Sequence, residues 1–328
     1  MSTAVQLDWE KTQMDAQRQA RKKRMKNLRT GLLFTSPVLL GYSIFIVVPL
    51  VITFVLSFTD YSIGAPMHFI GWSNFTDMFS GRDMFFYPAV KATFYYVFVS
   101  VPVGIVFAFF VAVLLNQKIK ARAFFRGVFY LPVIIPIASA GIIWMWMLQP
   151  DFGVVNYMLQ TLHLPTSLWL ASDNTVIPTL ILFSLWNSGS MIVIFLAGLQ
   201  GIPAHLYEAL EVDGGNAWHK LRYITIPMSS PIIFFNTVMG FINAFQTFVQ
   251  PMVMTSGNSG SGAAAMGGPD NASLLYVLYL FQNAFRFSKM GAASANAVLL
   301  FIVTLIFTFL IFRFSKSFVH YEGDGKRS

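Results

Sequence analysis

Six long apolar runs that contain no Asp, Glu, Lys or Arg dominate the chain. They cover residues 30–59, 92–117, 127–150, 174–207, 223–269 and 290–312. A helix needs about 20 consecutive apolar residues to cross the hydrocarbon core of a bilayer, and each run is long enough to hold one. The pattern therefore predicts six transmembrane helices. They are expected near residues 31–58, 92–116, 127–149, 175–200, 228–254 and 291–313.

The composition favours a membrane protein over a soluble one. Charged residues make up 11% of the chain and hydrophobic residues 55%, whereas soluble domains carry about 25% charged residues. An apolar helical bundle in water is the alternative, but it gives no reason for the charges to be confined between the apolar runs. The predicted fold class is an all-α integral membrane protein, with the lipid bilayer as its solvent.

Lys and Arg are distributed unevenly among the connecting segments. The two terminal tails and the segments after the second and fourth helices carry 18 of the 22, and the remaining segments carry 4. Cytoplasmic segments are enriched in Lys and Arg, so both termini are predicted to be cytoplasmic. The predicted regions are a basic tail (1–29), a first helix with an external loop (30–91), a membrane core (92–313) that includes a cytoplasmic loop (201–227), and a second tail (314–328).

The sequence offers little for metal, nucleic-acid or thiol chemistry. The basic cluster at residues 21–29 adjoins the first apolar run, where it acts as a topology signal and contacts anionic lipid, so no nucleic-acid partner is expected. The chain has no cysteine, and its five histidines lie outside the predicted helices without ligand spacing. No metal site is predicted.

Catalytic motifs are also missing from the sequence. It contains no H-E-x-x-H, no G-x-S-x-G and no G-x-x-x-x-G-K-[ST] phosphate loop. The predicted helices lack the buried ionisable residues that a membrane-embedded enzyme or a proton-driven transporter uses. We therefore expect a transport protein that is not itself an enzyme and that takes its energy from a partner.

Neutral amide side chains are the main polar groups at membrane depth. They are Asn187 in the fourth predicted helix and Asn236, Asn243, Gln246 and Gln250 in the fifth. The spacing of seven residues between Asn236, Asn243 and Gln250 places them on one helical face. Amides of this kind suit an uncharged, hydroxyl-rich solute. Hydrogen bonding between helices, worth about 1 kcal/mol for each bond, is an equally good interpretation.

The loop between the fourth and fifth helices contains the most specific motif of the chain. Residues 207–227 read YEALEVDGGNAWHKLRYITIP. Leu206 and Leu210 lie one turn apart on a short predicted helix, and Gly214 permits a sharp turn into a second one. We expect the apolar side of the first helix to fill a groove on a partner and Glu208 to meet a cationic group there.

This loop resembles the EAA loop of ABC importer permeases, which reads Glu-Ala-Ala, three residues, Gly, nine residues and Ile-x-Leu-Pro. The matching residues are Glu208, Ala209, Gly214, Ile224 and Pro227. Leu210 replaces the third small residue and Ile226 replaces the Leu. The resemblance implies that the loop, including Leu210, docks in a cleft of the ATPase subunit, where Glu208 approaches an arginine.

The similarity runs from the first helix to the last and is strongest to the smaller carbohydrate permeases. It rests on the stretches 129–132 (FYLP), 144–146 (WMW), 150–153 (PDFG), 196–203 (LAGLQGIP) and 267–269 (GGP). It implies the type I importer fold in a bacterial inner membrane, and a sugar or oligosaccharide as solute. A glycerol phosphate ester or an amino acid is the alternative solute, and a channel leaves the EAA loop unexplained.

The same resemblance implies a set of partners. They are a second homologous permease subunit, two ATPase subunits that hold ATP and magnesium, and an extracytoplasmic solute-binding protein. This chain itself is expected to hold no cofactor, and transport is expected to proceed by alternating access.

Overall fold

The computed structural model describes residues 3–117, 120–255 and 267–315, which are mostly helical. Within these ranges the β pairing consists of one isolated antiparallel bridge, between Thr59 and Phe69. The chain divides into two units, Met1–Leu56 and Ser57–Ser328. Part of the predicted C-terminal tail, residues 316–328, lies outside the described residues.

The first unit is helical over its whole described length. It comprises the α-helix Thr3–Tyr42, a π-helical turn at Ser43–Val47 and the α-helix Val48–Leu56. The part from Arg21 to Leu56 is long and apolar enough to cross a membrane. The predicted basic tail is therefore helical from Thr3 onward and runs directly into the first predicted membrane helix.

The described part of the second unit contains two long apolar helices and three bent pairs. The long helices are Phe86–Asn116 and Met290–Ser315. The pairs are Arg122–Ile134 with Ile137–Met147, bent by 100°, Asp173–Trp186 with Gly189–Gln200, bent by 46°, and Ala217–Met228 with Ser230–Phe245, bent by 63°. Counting each pair as one crossing gives six spans with that of the first unit, numbered here 1 to 6 in chain order. This agrees with the six predicted helices.

The breaks in these spans lie at identifiable residues. Pro136 forces the preceding residue, Ile135, into an extended conformation with φ −77° and ψ 128°, which ends the first half of span 3. Asn187 and Ser188 separate the two halves of span 4. The fifth predicted helix, 228–254, is not continuous: it divides into Ser230–Phe245 and Val249–Thr255, with residues 246–248 between them.

Short helices form the connections between the long ones and also make up the first half of span 5. They are Ser73–Phe79, Val154–Thr161, Trp169–Ala171, Ala204–Val212, Ala217–Lys220, Leu221–Thr225, Ile226–Met228, Val249–Thr255, Pro269–Asn271, Tyr276–Phe281 and Gln282–Arg286. Among these, Leu221–Thr225 and Gln282–Arg286 are π-helical, and Trp169–Ala171 and Pro269–Asn271 are 3-10 turns.

Span 2 is the central element of the second unit. Its buried side chains contribute to all three hydrophobic clusters, through Phe86 at one end, Val97 in the middle and Ala108 toward the other end. Span 6, in contrast, exposes large apolar side chains such as Phe301 and Phe309. Exposed apolar surface of this extent suits lipid or another membrane subunit rather than water.

Gly189, the first residue of the second half of span 4, lies against the backbone of span 3. A Cβ atom at this position would be 2.4 Å from the carbonyl oxygen of Phe129 and 2.8 Å from Cγ2 of Val133. Only a residue without a side chain allows the two spans to approach this closely. Span 3 is thereby held beside the break in span 4.

We expect Gly189→Ala to destabilise the fold by about 1–3 kcal/mol, because the added methyl group meets a backbone oxygen that cannot move aside. The midpoint of thermal unfolding of the purified protein in detergent measures the effect. Gly127→Ala is the matched control, since a Cβ at Gly127 meets nothing within 4 Å. Equal midpoints for the two variants would contradict the close approach.

Candidate functional site

Two features of the second unit bring together the residues singled out from the sequence. One is the hairpin of short helices at residues 201–228, which leads from the end of span 4 into Ser230–Phe245 and includes the first half of span 5; it is called the span 4–5 hairpin below. The other is a cavity between spans 2, 4 and 5.

The span 4–5 hairpin has the helix–turn–helix form that the sequence predicts. Ala204–Val212 ends at a turn in which Gly214 has a φ of +80°, and Ala217–Lys220 follows. A φ in this range is unfavourable for residues that carry a Cβ. The structure thus gives a physical reason for glycine at this position.

Polar contacts fix the two arms of the hairpin. Glu211 and Lys220 form an ion pair across the turn. Asn216 caps the second helix by accepting a hydrogen bond from the backbone N–H of His219 at 3.0 Å, and Nδ1 of His219 accepts one from the N–H of Asn216 at 3.2 Å. Such a reciprocal cap stabilises the start of a helix.

The motif residues do not share one surface. Glu208 and Ala209 are exposed, and Glu208 makes no ion pair within the described part of the chain. Leu210 and Pro227 are half-buried, and Ile224 is buried at 9% exposure. The first arm therefore presents Glu208 outward, whereas Ile224 and Pro227 anchor the second arm on the membrane core.

The hairpin also exposes large apolar side chains that the sequence reasoning missed. Val212 is 88% exposed, Trp218 62% and Tyr223 63%. Apolar residues that large, placed among charges in a connecting segment, are a signal that could have identified them. Together with Glu208 they give the hairpin the mixture of apolar and charged groups typical of a protein interface.

The cavity has a volume of about 350 Å³ and a neutral polar lining. Its polar lining residues are Tyr96, Ser100, Ser184, Asn187, Ser188, Ser190, Asn236, Asn243 and Thr247. Apolar residues such as Val101, Met191 and Phe235 complete the wall, and no lining residue is charged. Such a site offers hydrogen-bond donors and acceptors without attracting a charged ligand.

The broken helices create this cavity. Asn187 and Ser188 lie at the break in span 4, and Thr247 lies at the break that follows Ser230–Phe245. On span 2, Tyr96, Ser100 and Gly104 face the cavity at intervals of four residues. That row of polar and small residues in an apolar helix is a sequence signal that the reasoning from amides alone did not use.

Three of the five amides that were predicted to contact the solute line the cavity. Asn187 and Asn243 reach it without a side-chain partner within the described residues, and Asn236 donates to the carbonyl of Ile232 at 3.1 Å. Gln246 lies elsewhere, in an apolar groove against span 6 beside Thr304. Gln250 is 4% exposed and does not line the cavity.

A second cleft, of about 420 Å³, lies at the end of spans 2 and 6 that is remote from the hairpin. It is charged: Asp77 pairs with Arg82 at 2.8 Å, and Asp83 and Lys289 also line it. The Tyr279 hydroxyl donates to Asp83. Burial, reinforced by the neighbouring Asp83 carboxylate, raises the pKa of Tyr279 above its usual range, so the phenol stays protonated at neutral pH.

Comparison with protein families identifies the family of this chain. The family described as the inner membrane component of binding-protein-dependent transport systems matches residues 100–320, more than half of the chain. The chain belongs to this family. The predicted permease identity is thereby confirmed. Separately, within the described residues no group of three or more His, Asp or Glu is placed to hold a metal ion.

Individual relatives support the family assignment. This chain is 40% identical to the probable ABC transporter permease protein YesP of Bacillus subtilis, over 94% of this chain and 97% of that protein. It is 30% identical to the arabinooligosaccharides transport system permease protein AraP of the same organism, over 89% and 90%. It is also 30% identical to the sulfoquinovosyl glycerol transport system permease protein SmoG of Agrobacterium fabrum, over 88% and 90%.

Among solved structures, a chain of the bacterial alginate ABC transporter in complex with an alginate-bound periplasmic protein has the same fold. The TM-score is 0.75 at 22% identity, covering 90% of this chain and 96% of that chain. The all-α permease fold predicted from the sequence is thus confirmed.

For the hairpin, we expect Gly214→Ala to weaken the turn by about 1–2 kcal/mol, because alanine is strained at a φ of +80°. Hydrogen exchange of the backbone amides at 213–216 should accelerate by about tenfold. Gly214→Asn is the matched control, since Asn tolerates the left-handed region better. An effect of Asn as large as that of Ala would show that strain is not the cause.

Proposed function

We propose that this chain is the permease subunit of an ATP-driven importer, and that it translocates a sugar or oligosaccharide delivered by an extracytoplasmic solute-binding protein. The observation that carries the proposal is the neutral, amide- and hydroxyl-lined cavity between spans 2, 4 and 5. Relatives named for arabinooligosaccharides, sulfoquinovosyl glycerol and trehalose/maltose support a carbohydrate.

The chemistry of the cavity favours a sugar over the alternative solutes. Sugar hydroxyls donate and accept hydrogen bonds, as amide and hydroxyl side chains do. A phosphate ester or a zwitterionic amino acid needs a compensating charge when it leaves water, and the cavity lining supplies none. The aromatic rings of Tyr96 and Phe235 add apolar surface for the carbon face of a sugar.

The hairpin supports a coupling role toward an ATPase subunit. Glu208 is exposed and unpaired within the described residues, and Val212 and Trp218 provide apolar contact area nearby. An exposed carboxylate of this kind is suited to a charge-assisted hydrogen bond with an arginine of the partner. ATP and magnesium then belong to the ATPase dimer.

Topology and partners follow from the same proposal. The 18 to 4 distribution of Lys and Arg supports a cytoplasmic location for the hairpin and for both termini. The charged cleft beside Asp83 and Lys289 then faces outward, toward the binding protein. A second permease subunit covers exposed apolar surface, and closure of the ATPase dimer moves the two subunits in alternating access.

ATP hydrolysis by the complex in nanodiscs, purified with the partners that copurify from the native host, tests the substrate class. We expect a sugar with its binding protein to stimulate hydrolysis. Stimulation only by a charged solute would retain the importer and overturn the carbohydrate assignment.

For the cavity, we expect Asn243→Leu to lower sugar-stimulated ATP hydrolysis or uptake by about five- to tenfold, because one hydrogen bond to the solute is lost. Gln246→Leu removes the same kind of amide three residues away, from a groove outside the cavity, and should leave activity near wild type. The reverse ranking of the two variants would place the solute in the other groove.

For the hairpin, we expect Glu208→Arg to reduce uptake by at least about tenfold while membrane insertion stays intact, because the charge-assisted contact becomes a repulsion. Glu211→Gln is the control: Glu211 already pairs with Lys220 at the surface, and such a pair contributes at most about 1 kcal/mol. Full uptake by Glu208→Arg would remove the coupling assignment.

A further inference from the structure

The charged cleft at the end of spans 2 and 6 shares no lining residue with the cavity between spans 2, 4 and 5. It is called the outer cleft below, after the topology proposed above. Its volume of about 420 Å³ lies within the range of about 300–1,000 Å³ that small-molecule sites occupy. Neither the cavity nor the hairpin uses this cleft, so it is a candidate for a separate binding site.

Two hydrogen-bond acceptors of the outer cleft are held in fixed positions. Asp83 accepts from the backbone N–H of Phe85 at 2.9 Å through Oδ1 and from the hydroxyl of Tyr279 through Oδ2. Asn74 donates through Nδ2 to two backbone carbonyls, each at 2.9 Å, which leaves its Oδ1 to accept. Carboxylate oxygens have lone pairs beyond those that these contacts occupy. The cleft therefore presents oriented acceptors to a ligand.

The same cleft contains two donors that the described part of the chain does not use. Asn283 is 6% exposed, and its Nδ2 is buried without a hydrogen-bond partner there. A buried donor of this kind costs about 1–3 kcal/mol unless something outside the protein chain satisfies it. Lys289 is exposed and forms no ion pair within the same residues, and its backbone N–H donates to the carbonyl of Asn283 at 2.9 Å.

The charges of the lining balance. Asp77 and Arg82 form an ion pair at 2.8 Å, and Asp83 and Lys289 contribute one charge of each sign. A lining with no net charge gives a small ion little attraction. It suits a neutral ligand that both accepts and donates hydrogen bonds, as a hydroxyl group does.

Aromatic rings complete the outer cleft. Phe85 and Phe287 line it, and Phe287 is 41% exposed. Aromatic rings offer a large flat apolar surface, which matches the carbon face of a sugar ring. Acceptors, unused donors and rings thus occur together in one cleft.

We infer that the outer cleft is a second carbohydrate site, which binds a neutral sugar unit separately from the cavity. The inference rests on the proposed function for the class of solute and for the side of the membrane. Hydrogen bonds to charged groups are about twice as strong as those between neutral groups. Asp83 and Lys289 can therefore hold hydroxyl groups in a cleft that is open to water, where a neutral lining binds less well.

Protection of a cysteine placed in the outer cleft tests the site. The chain has no cysteine of its own, so Met84→Cys supplies a single thiol in the lining, at a position that is 76% exposed. The complex in nanodiscs is treated with a methanethiosulfonate, and modification of this chain is followed by mass spectrometry. Nanodiscs leave both faces accessible, so the result does not depend on orientation. The probes are trehalose, maltose and arabinotriose, with glucuronate as a charged probe.

We expect at least one neutral probe in excess to slow modification by about threefold or more, because bound sugar covers the thiol. Asn283→Leu in the same background should weaken this protection by about five- to tenfold, since one hydrogen bond to the sugar is lost. Lys289→Met should weaken it similarly and carries the test if Asn283→Leu does not accumulate. Asn243→Leu, the matched amide of the cavity, should leave protection unchanged.

Met67→Cys is the control for effects outside the cleft, because Met67 is 55% exposed and does not line it. Absence of protection by every neutral probe, or protection by glucuronate alone, would overturn the inference. So would equal protection of Met67→Cys, or protection that is lost in Asn243→Leu and kept in Asn283→Leu.

The two proposals fail in different ways. If no sugar stimulates hydrolysis while the outer cleft is still protected, the transport assignment fails and the binding site remains. If sugar stimulates hydrolysis while the cleft is unprotected, the binding site fails and the transport assignment remains.

Discussion

The need to satisfy backbone hydrogen bonds at bilayer depth controls this structure more than any single contact. A continuous helix meets that need alone, but every break leaves N–H and C=O groups that lipid cannot satisfy. Three of the spans are bent at a break, and the cavity is bordered by the break in span 4 and by the break at residues 246–248 that follows span 5. Polar side chains gather there because the broken backbone has to be buried in protein or line a polar space.

This constraint explains which sequence predictions agree with the structure. The six-helix pattern depends only on runs of apolar residues, and the described spans agree with it. The prediction that the amides share one face depends on helical periodicity, and this periodicity holds only as far as the helix is continuous. Asn236 and Asn243 lie within Ser230–Phe245 and share the cavity. Gln250 lies beyond the break at 246–248, so a spacing of seven residues no longer fixes its direction.

The hairpin was predictable for a different reason, since its geometry is local. The positive φ of Gly214 and the reciprocal cap between Asn216 and His219 arise within a few residues of sequence. A motif spacing, however, does not distinguish a docking residue from an anchoring one. Glu208 is exposed whereas Ile224 is buried, and only the packing on the membrane core reveals this difference.

The packing between spans 4 and 5 suggests how the two ends of the molecule communicate. Phe195 and Leu199 at the end of span 4 pack in one cluster with Leu221 and Ile232 from the hairpin and span 5. A close-packed cluster moves as a unit rather than deforming gradually. Displacement of the hairpin is therefore passed to Gly189–Gln200 and Ser230–Phe245, the two helices of this cluster that border the cavity.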